Sequence, residues 1–510
     1  MIHMEASPAW SRTLSTLGRG VRVARNRRVR FYVTGSVAFS VIAFIAVVTA
    51  FCCAPSENKC PGALVGACVF FLVQWLLPVC RPVSGKLLCP WNWALFVFFL
   101  QLVLLPVSLL LFGPLPGVLP FLPSDQAINL AILMNVAAFL TFSLTYHAFA
   151  RRAKNGAWRN LAPAHSRVVE RSPSLAYIGL NGGIGIIGFS IAFGALEKLA
   201  EYFSDPSGYL SRVAGVSDKL GLAAGLFLRP FLGICVVMLW CRWLDRKGSR
   251  KARGLSGILT LMAILAVCLS NATFNYNRGS VVVPLVAMLA VTLSGPRRVS
   301  RVTVVFAGVA VLVVLLVAPF YGAYRSSKFT SHEIFRDSSV RSVLFDNVEL
   351  TEMLQVYAGA PHFLGFFMEM GHWGANPRWG QTLISSALSS LPILGKSFRE
   401  ESGTAIYNRL IYGQLDAEDQ IAPFQGEAFL DFHLPGLLAG FFVLGWVAFR
   451  LQRAFLNSVS SLETFIWQYL SIWTFLLIFG GLSVVSQIFV YFCWPFYLYF
   501  VYTNLRTQPG

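Results

Sequence analysis

Runs of about 17 to 25 apolar residues, the length that crosses a hydrocarbon layer of roughly 30 Å as a helix, recur along most of the chain and constrain it more than any motif does. Twelve can be read, near 31–53, 63–80, 91–112, 126–150, 173–194, 221–244, 255–271, 279–294, 302–321, 434–450, 464–481 and 486–503. In lipid every backbone amide and carbonyl must find a partner inside the protein, which helices do within one segment. The expected fold class is therefore all-α: a polytopic integral membrane helix bundle of about 12 transmembrane helices, with one large outer loop. Composition closes off the alternatives. Only 13% of the 510 residues are charged and 56% are hydrophobic, whereas soluble domains carry about 25% charge. A cytosolic enzyme, a disordered chain, a fibrous chain and a disulfide-rich secreted domain are excluded.

The formal net charge of +18 has a topological origin. With the N-terminus inside, inner segments hold 27 Lys and Arg, outer segments 13, and Arg229 falls within a span; the acids divide 4 inside and 19 outside. That asymmetry is the positive-inside pattern and implies no nucleic-acid partner. It divides the chain into a basic cytoplasmic tail (1–30), helices one to nine (31–321), a large outer loop (322–433), helices ten to twelve (434–505) and a short cytoplasmic tail (506–510). The first apolar run is long and lacks a small-x-small cleavage site, so it reads as a retained anchor whose arginines meet anionic lipid.

The ten cysteines sit mostly in or beside apolar runs and behave as small hydrophobes; Cys52 or Cys53 is placed to pair with Cys60 across a short outer loop. No Cys/His spacing suggests a metal, and no cofactor is expected. The run Gly179–Gly188 carries small residues at the spacing of a helix-helix contact. The stretch 346–370 mixes charges with apolar residues at helical spacing, as an amphipathic surface helix does. The outer loop around it holds 13 acids and four of the seven histidines, and loops of this length usually carry function.

Candidate functional residues are charges that a bilayer should exclude. Arg229, followed by Pro230, lies inside a span, where a cation costs at least about 2.5 kcal/mol unless it faces a polar cavity. Arg278, in the turn Asn275-Tyr276-Asn277-Arg278-Gly279, opens another span from its outer end, where free helix amides and a guanidinium fork favour an anion. Arg325 and Lys328 follow the ninth span, beside Tyr324. Three cationic groups at one membrane depth point to a lipid-linked diphosphate, with ordinary phospholipid headgroups as the competing ligand. The end of the outer loop adds Arg399, Arg409, and then Glu427, Asp431 and His433 in the run Pro423-Phe-Gln-Gly-Glu-Ala-Phe-Leu-Asp-Phe-His433. A carboxylate or imidazole there suits a general base that takes a proton from a sugar hydroxyl.

On these residues the chain resembles the Wzy-type O-antigen and polysaccharide polymerases: many spans, one large late outer loop, the Arg278-Gly279 turn, and Pro423-x-x-Gly426-Glu427 ahead of a span that begins near Gly436. The paired Arg-x10-Gly pattern of some members is not met, since Leu289, Arg336, Leu410 and Gln420 stand at the glycine positions. The resemblance implies a multi-pass protein of the cell inner membrane with both termini cytoplasmic. It also implies a metal-independent inverting glycosyl transfer on the periplasmic side, with an undecaprenyl-diphosphate-linked oligosaccharide as substrate. The product is O-antigen, capsule or exopolysaccharide. Arg229, Arg278, Arg325, Arg399 and Arg409 would hold the diphosphate, supported by Asn275, Tyr276, Asn277, Tyr324 and Lys328, and Glu427, Asp431 or His433 would activate the acceptor. A chain-length regulator and a flippase are the implied protein partners. Two other readings compete: a flippase or transporter of lipid-linked oligosaccharide, and a polyprenyl-phosphate-sugar glycosyltransferase. The first outer loop, about nine residues with Glu57 alone as its acid, weakens the latter.

Overall fold

The computed structural model describes residues 40–77, 80, 89–113, 123–154, 173–193, 227–228, 230–245, 291, 360–369, 376–391, 394–412, 422–458, 460–496 and 498–499. Every regular element among the described residues is helical. In chain order the main helices are α1 (Ser40–Cys53), α2 (Pro61–Leu76), α3 (Pro90–Phe112), α4 (Asp125–Lys154), α5 (Leu175–Phe193), α6 (Pro230–Asp245), α7 (Ala360–Phe367), α8 (Gln381–Leu388), α9 (Gly395–Arg399), α10 (Gly403–Tyr412), α11 (Phe424–Leu456) and α12 (Ser461–Ile488), with a 3-10 turn at Ser56–Asn58 and a π turn at Phe489–Cys493 that prolongs α12. Among the described residues four helices, α3, α4, α11 and α12, are long and apolar enough to cross a membrane; α1, α2 and the first part of α5 are shorter apolar helices. The runs expected at 255–271 and 302–321, and all but Val291 of that at 279–294, lie outside the described residues.

Local sequence explains where these helices start and bend. Pro61 and Pro90 stand at first helical positions, where a missing N–H costs nothing. In α3, Pro106 removes an amide, and the turn ahead of it widens to a π turn over Leu100–Leu104, the Leu105 amide reaching back to the Leu100 carbonyl. Ser460 starts α12 by accepting from the Glu463 amide at 3.2 Å, an arrangement that satisfies one of the helix's free donors.

An aromatic core holds α3, α4 and α11 together. Trp91 stacks on Tyr146 at 3.7 Å and on Phe142 at 5.6 Å, and Phe98 meets Phe139, Phe142 and Phe441 at 4.9–6.0 Å. Such offset and tilted pairs contribute about 0.5–1.5 kcal/mol each beyond their burial. The Trp91 amide also donates to Gln452 Oε1 at 3.0 Å, fastening α3 to α11. The glycine-rich α5 packs closely on α6, Gly185 against the Leu232 backbone and Gly182 against Cys235, the contact its small residues suit.

Two sequence expectations differ from the structure. The Cys60 thiol donates to Asn129 Oδ1 at 2.9 Å instead of joining Cys52 or Cys53, which are exposed and free. Residues 346–359 lie outside the described part of the expected surface helix, and its remainder, α7, is enclosed: Leu364, Phe366 and Phe367 are fully buried, and the helix packs on the first turns of α4. Glu369 pins it there by accepting from the Ser124 amide at 2.9 Å. The charges that suggested a surface location lie mostly upstream of α7, whose own residues are almost all apolar.

Candidate functional site

Two of the long helices are interrupted, and the first turns of α11, ahead of its own break, reach the break in α12. In α11 the break falls at His433 (φ 53°, ψ −144°), two residues before Pro435. Pro435 has no amide to give to the Asp431 carbonyl one turn earlier, and the left-handed turn at His433 takes the Leu430 carbonyl out of the helical ladder as well. Both carbonyls are served from outside: the Arg378 amide donates to Leu430 O at 3.2 Å and the Trp379 amide to Asp431 O at 3.1 Å. In α12 the break falls at Gly481 (φ 67°, ψ 175°), a conformation cheap only for glycine. A side chain there would also run into the Ala422 carbonyl oxygen. The helix restarts at once, so the amides of Leu482 and Ser483 become free donors at a new helix N-terminus.

Glu427 answers that second break. Its Oε2 accepts from the Leu482 amide at 2.6 Å, and Oε1 accepts from Ser386 Oγ at 2.7 Å. The side chain is fully buried. Burying a carboxylate is costly unless its oxygens are bonded, and here one side chain caps a half-helix that begins 55 residues later in the chain. Asp431, one turn on and equally buried, caps α8 in the same manner: Oδ1 accepts from the Thr382 amide at 2.9 Å and Oδ2 from the Leu383 amide at 2.8 Å. Around Glu427 the hydroxyls of α8, the turn after it, α10 and α12 form a network. Ser386 Oγ accepts from the Gly403 amide at 2.9 Å, Thr404 pairs with Ser483 at 2.8 Å, Ser390 with Ser486 at 2.9 Å, and Ser486 donates to the Ser386 carbonyl at 3.2 Å.

The remaining sequence candidates fall into two groups. Arg399 ends α9 and Arg409 lies in α10; both are exposed, and Arg409 Nη2 donates to the Glu400 carbonyl at 3.4 Å. They stay on the outside of the short helices while the two carboxylates are enclosed. His433 is partly exposed, its ring 5.3 Å from Phe429 edge to face. Arg229, Asn275, Tyr276, Asn277, Arg278, Tyr324, Arg325 and Lys328 lie outside the described residues. Three features were not foreseen from sequence: the serine cluster, the left-handed backbone at Gly481 with Glu427 as its cap, and Arg378, which forms an ion pair with Glu401 beside the first break. The adjacent glycines Gly480-Gly481 inside an apolar run were the one visible signal; serines scattered over 386–486 give no local pattern.

Chemically, the arrangement anchors the stretch 427–433 at both carboxylates and at the Leu430 and Asp431 carbonyls. Both carboxylates are committed to backbone amides, and of the three candidate bases His433 alone combines a titratable side chain with exposure. No group of three or more His, Cys, Asp and Glu that could hold a metal occurs among the described residues. No known protein family, curated protein or solved structure matches the chain.

Proposed function

We propose that this chain is a polytopic inner-membrane polysaccharide polymerase, which lengthens a glycan by joining lipid-linked oligosaccharide units on the periplasmic side. In this reading the chain spans the membrane about twelve times with both termini cytoplasmic, and residues 322–433 form the periplasmic loop. The reading is supported by the resemblance in the sequence and by one observation of the structure: α8 is fastened through Glu427 and Asp431, and α10 through Ser386 and Ser483, to two interrupted helices, directly ahead of the expected span at 434–450. A polymerase needs such a preorganised junction, because positioning two large substrates supplies much of the rate.

The chemistry follows from the groups at hand. An acceptor sugar hydroxyl attacks the anomeric carbon of the growing chain with inversion, the carbon–oxygen bond to the diphosphate breaks, and the proton passes to a base. His433 fits that role best, since a base must come within about 3 Å of the proton it takes and the two carboxylates are already engaged. Glu427 and Asp431 then act as positioning residues. The polyprenyl diphosphate leaves with its charge held by guanidinium groups, for which Arg278, Arg229, Arg325, Arg399 and Arg409 are proposed. Each preorganised donor of this kind is worth about 3 kcal/mol by analogy with oxyanion holes.

The interrupted helices also favour a second reading, since transporters build their sites from discontinuous helices: a flippase for the same lipid-linked oligosaccharide. Cells carrying Arg278→Ala or His433→Ala test the first reading. The expected result is a normal amount of membrane-inserted protein with single repeat units on the lipid carrier. A normal long-chain ladder of surface polysaccharide from both variants refutes it.

A further inference from the structure

Trp379 breaks a local rule without any packing gain to offset it. At 76% exposure it is the most exposed large hydrophobic side chain among the described residues, and its backbone has φ 54°. Gly380 follows at φ 90°, ψ −3°, and the Gln381 amide closes the turn on the Arg378 carbonyl at 3.1 Å. Two central residues at positive φ define a type I′ turn, whose usual occupants are Asn-Gly, Asp-Gly or Gly-Gly. A bulky residue in the left-handed region costs about 1 kcal/mol or more. The surroundings impose the conformation, because the Arg378 and Trp379 amides are held by the Leu430 and Asp431 carbonyls at the His433 break. The indole itself makes one aromatic contact, edge to face with Phe432 at 6.2 Å. Places where a sequence violates a local preference and gains no packing are where function is expected.

The neighbours define a ligand chemistry. Arg378, which precedes Trp379 in the same turn, forms an ion pair with Glu401, with side chains 27% and 44% exposed, so the turn carries a flat apolar face and, one residue away, charged donors and acceptors. A phosphate headgroup would call for an unpaired cation, and an interfacial anchor tryptophan would gain nothing from a left-handed turn. A pyranose needs this combination: its C–H face lies on an aromatic ring while its hydroxyls bond to charged side chains. We propose that Trp379, presented beside Phe432 by the left-handed turn that also carries the ion-paired Arg378, is a stacking platform for a sugar ring of the glycan. The assignment rests on the polymerase reading only in taking a glycan as the ligand.

The test uses the full chain in lipid nanodiscs, with oligosaccharides released by mild acid from the surface polysaccharide of the source cells as the probe. Binding and thermal unfolding are measured for the wild type, Trp379→Gly and Trp379→Phe. Trp379→Gly is expected to weaken binding by about tenfold, equivalent to about 1.4 kcal/mol, and to raise the unfolding midpoint, because the ring is lost and the backbone strain relieved together. Trp379→Phe is expected to retain most of the binding without the gain in midpoint. Equal binding by Trp379→Gly and the wild type overturns the platform, as does a lowered midpoint with unchanged binding, the signature of a membrane anchor. Chain extension is followed on the same samples. Binding that depends on Trp379 in a protein that makes no polymer upholds the platform and removes the polymerase; polymer formation with binding indifferent to Trp379 does the reverse.

Discussion

At His433 a helix is interrupted in front of a proline, and the groups left over are carbonyls; at Gly481 a helix is interrupted at a glycine, and the groups left over are amides. The carbonyls are met by the backbone of residues 378 and 379, whereas the amides are met by the side chain of Glu427. A carbonyl surplus can be served by any passing stretch of chain with free N–H groups. An amide surplus at a buried helix start calls for an acceptor with two oxygens, and a carboxylate is the strongest choice. The first break is thus tolerant of side-chain identity at its partners, and the second is not.

Four substitutions break or sharpen this contrast. Gly481→Ala should have the largest effect, because a left-handed backbone penalty is added to collision with the Ala422 carbonyl, together at least about 3 kcal/mol. The expected outcome is loss of monodisperse protein in detergent by size-exclusion chromatography. Glu427→Ala strands the Leu482 amide and the Ser386 hydroxyl, at about 1–3 kcal/mol for a buried donor left unpaired; its unfolding midpoint should fall well below that of Glu427→Gln, which keeps one acceptor oxygen. Asp431→Ala removes the cap of α8 for about 1–2 kcal/mol, read as faster proteolysis within residues 376–391 while the bundle stays intact. His433→Gly is the smallest and opposite in sign. Relief of the left-handed strain should stabilise the protein by about 1 kcal/mol, and on the proposed mechanism it should also abolish chain extension.

The apolar runs at 91–112, 126–150 and 434–450 fall within α3, α4 and α11 because hydrophobic length is a local property that a sequence displays directly. Pro435 was equally visible, and so was the cluster of Glu427, Asp431 and His433. What could not be read was what these residues do. The partners of Glu427 stand 41 and 55 residues away, and a carboxylate that caps a distant half-helix looks the same in sequence as one that awaits a substrate. The run at 464–481 and its successor were read as two spans. The structure breaks the helix at Gly481, where the first run was expected to end, and resumes it at once, so the boundary was legible although the left-handed backbone that makes it was not. Trp379 gave no signal, because its importance lies in a backbone angle fixed by the carbonyls of residues 430 and 431.

The most direct test is reconstitution of the purified chain in liposomes with a polyprenyl-diphosphate-linked oligosaccharide repeat unit present in the outward-facing leaflet. The account predicts a ladder of glycans longer than one repeat, with one free polyprenyl diphosphate released per linkage, and no ladder from His433→Ala. Movement of the lipid-linked unit between leaflets with no linkage formed would contradict it and make the protein a flippase.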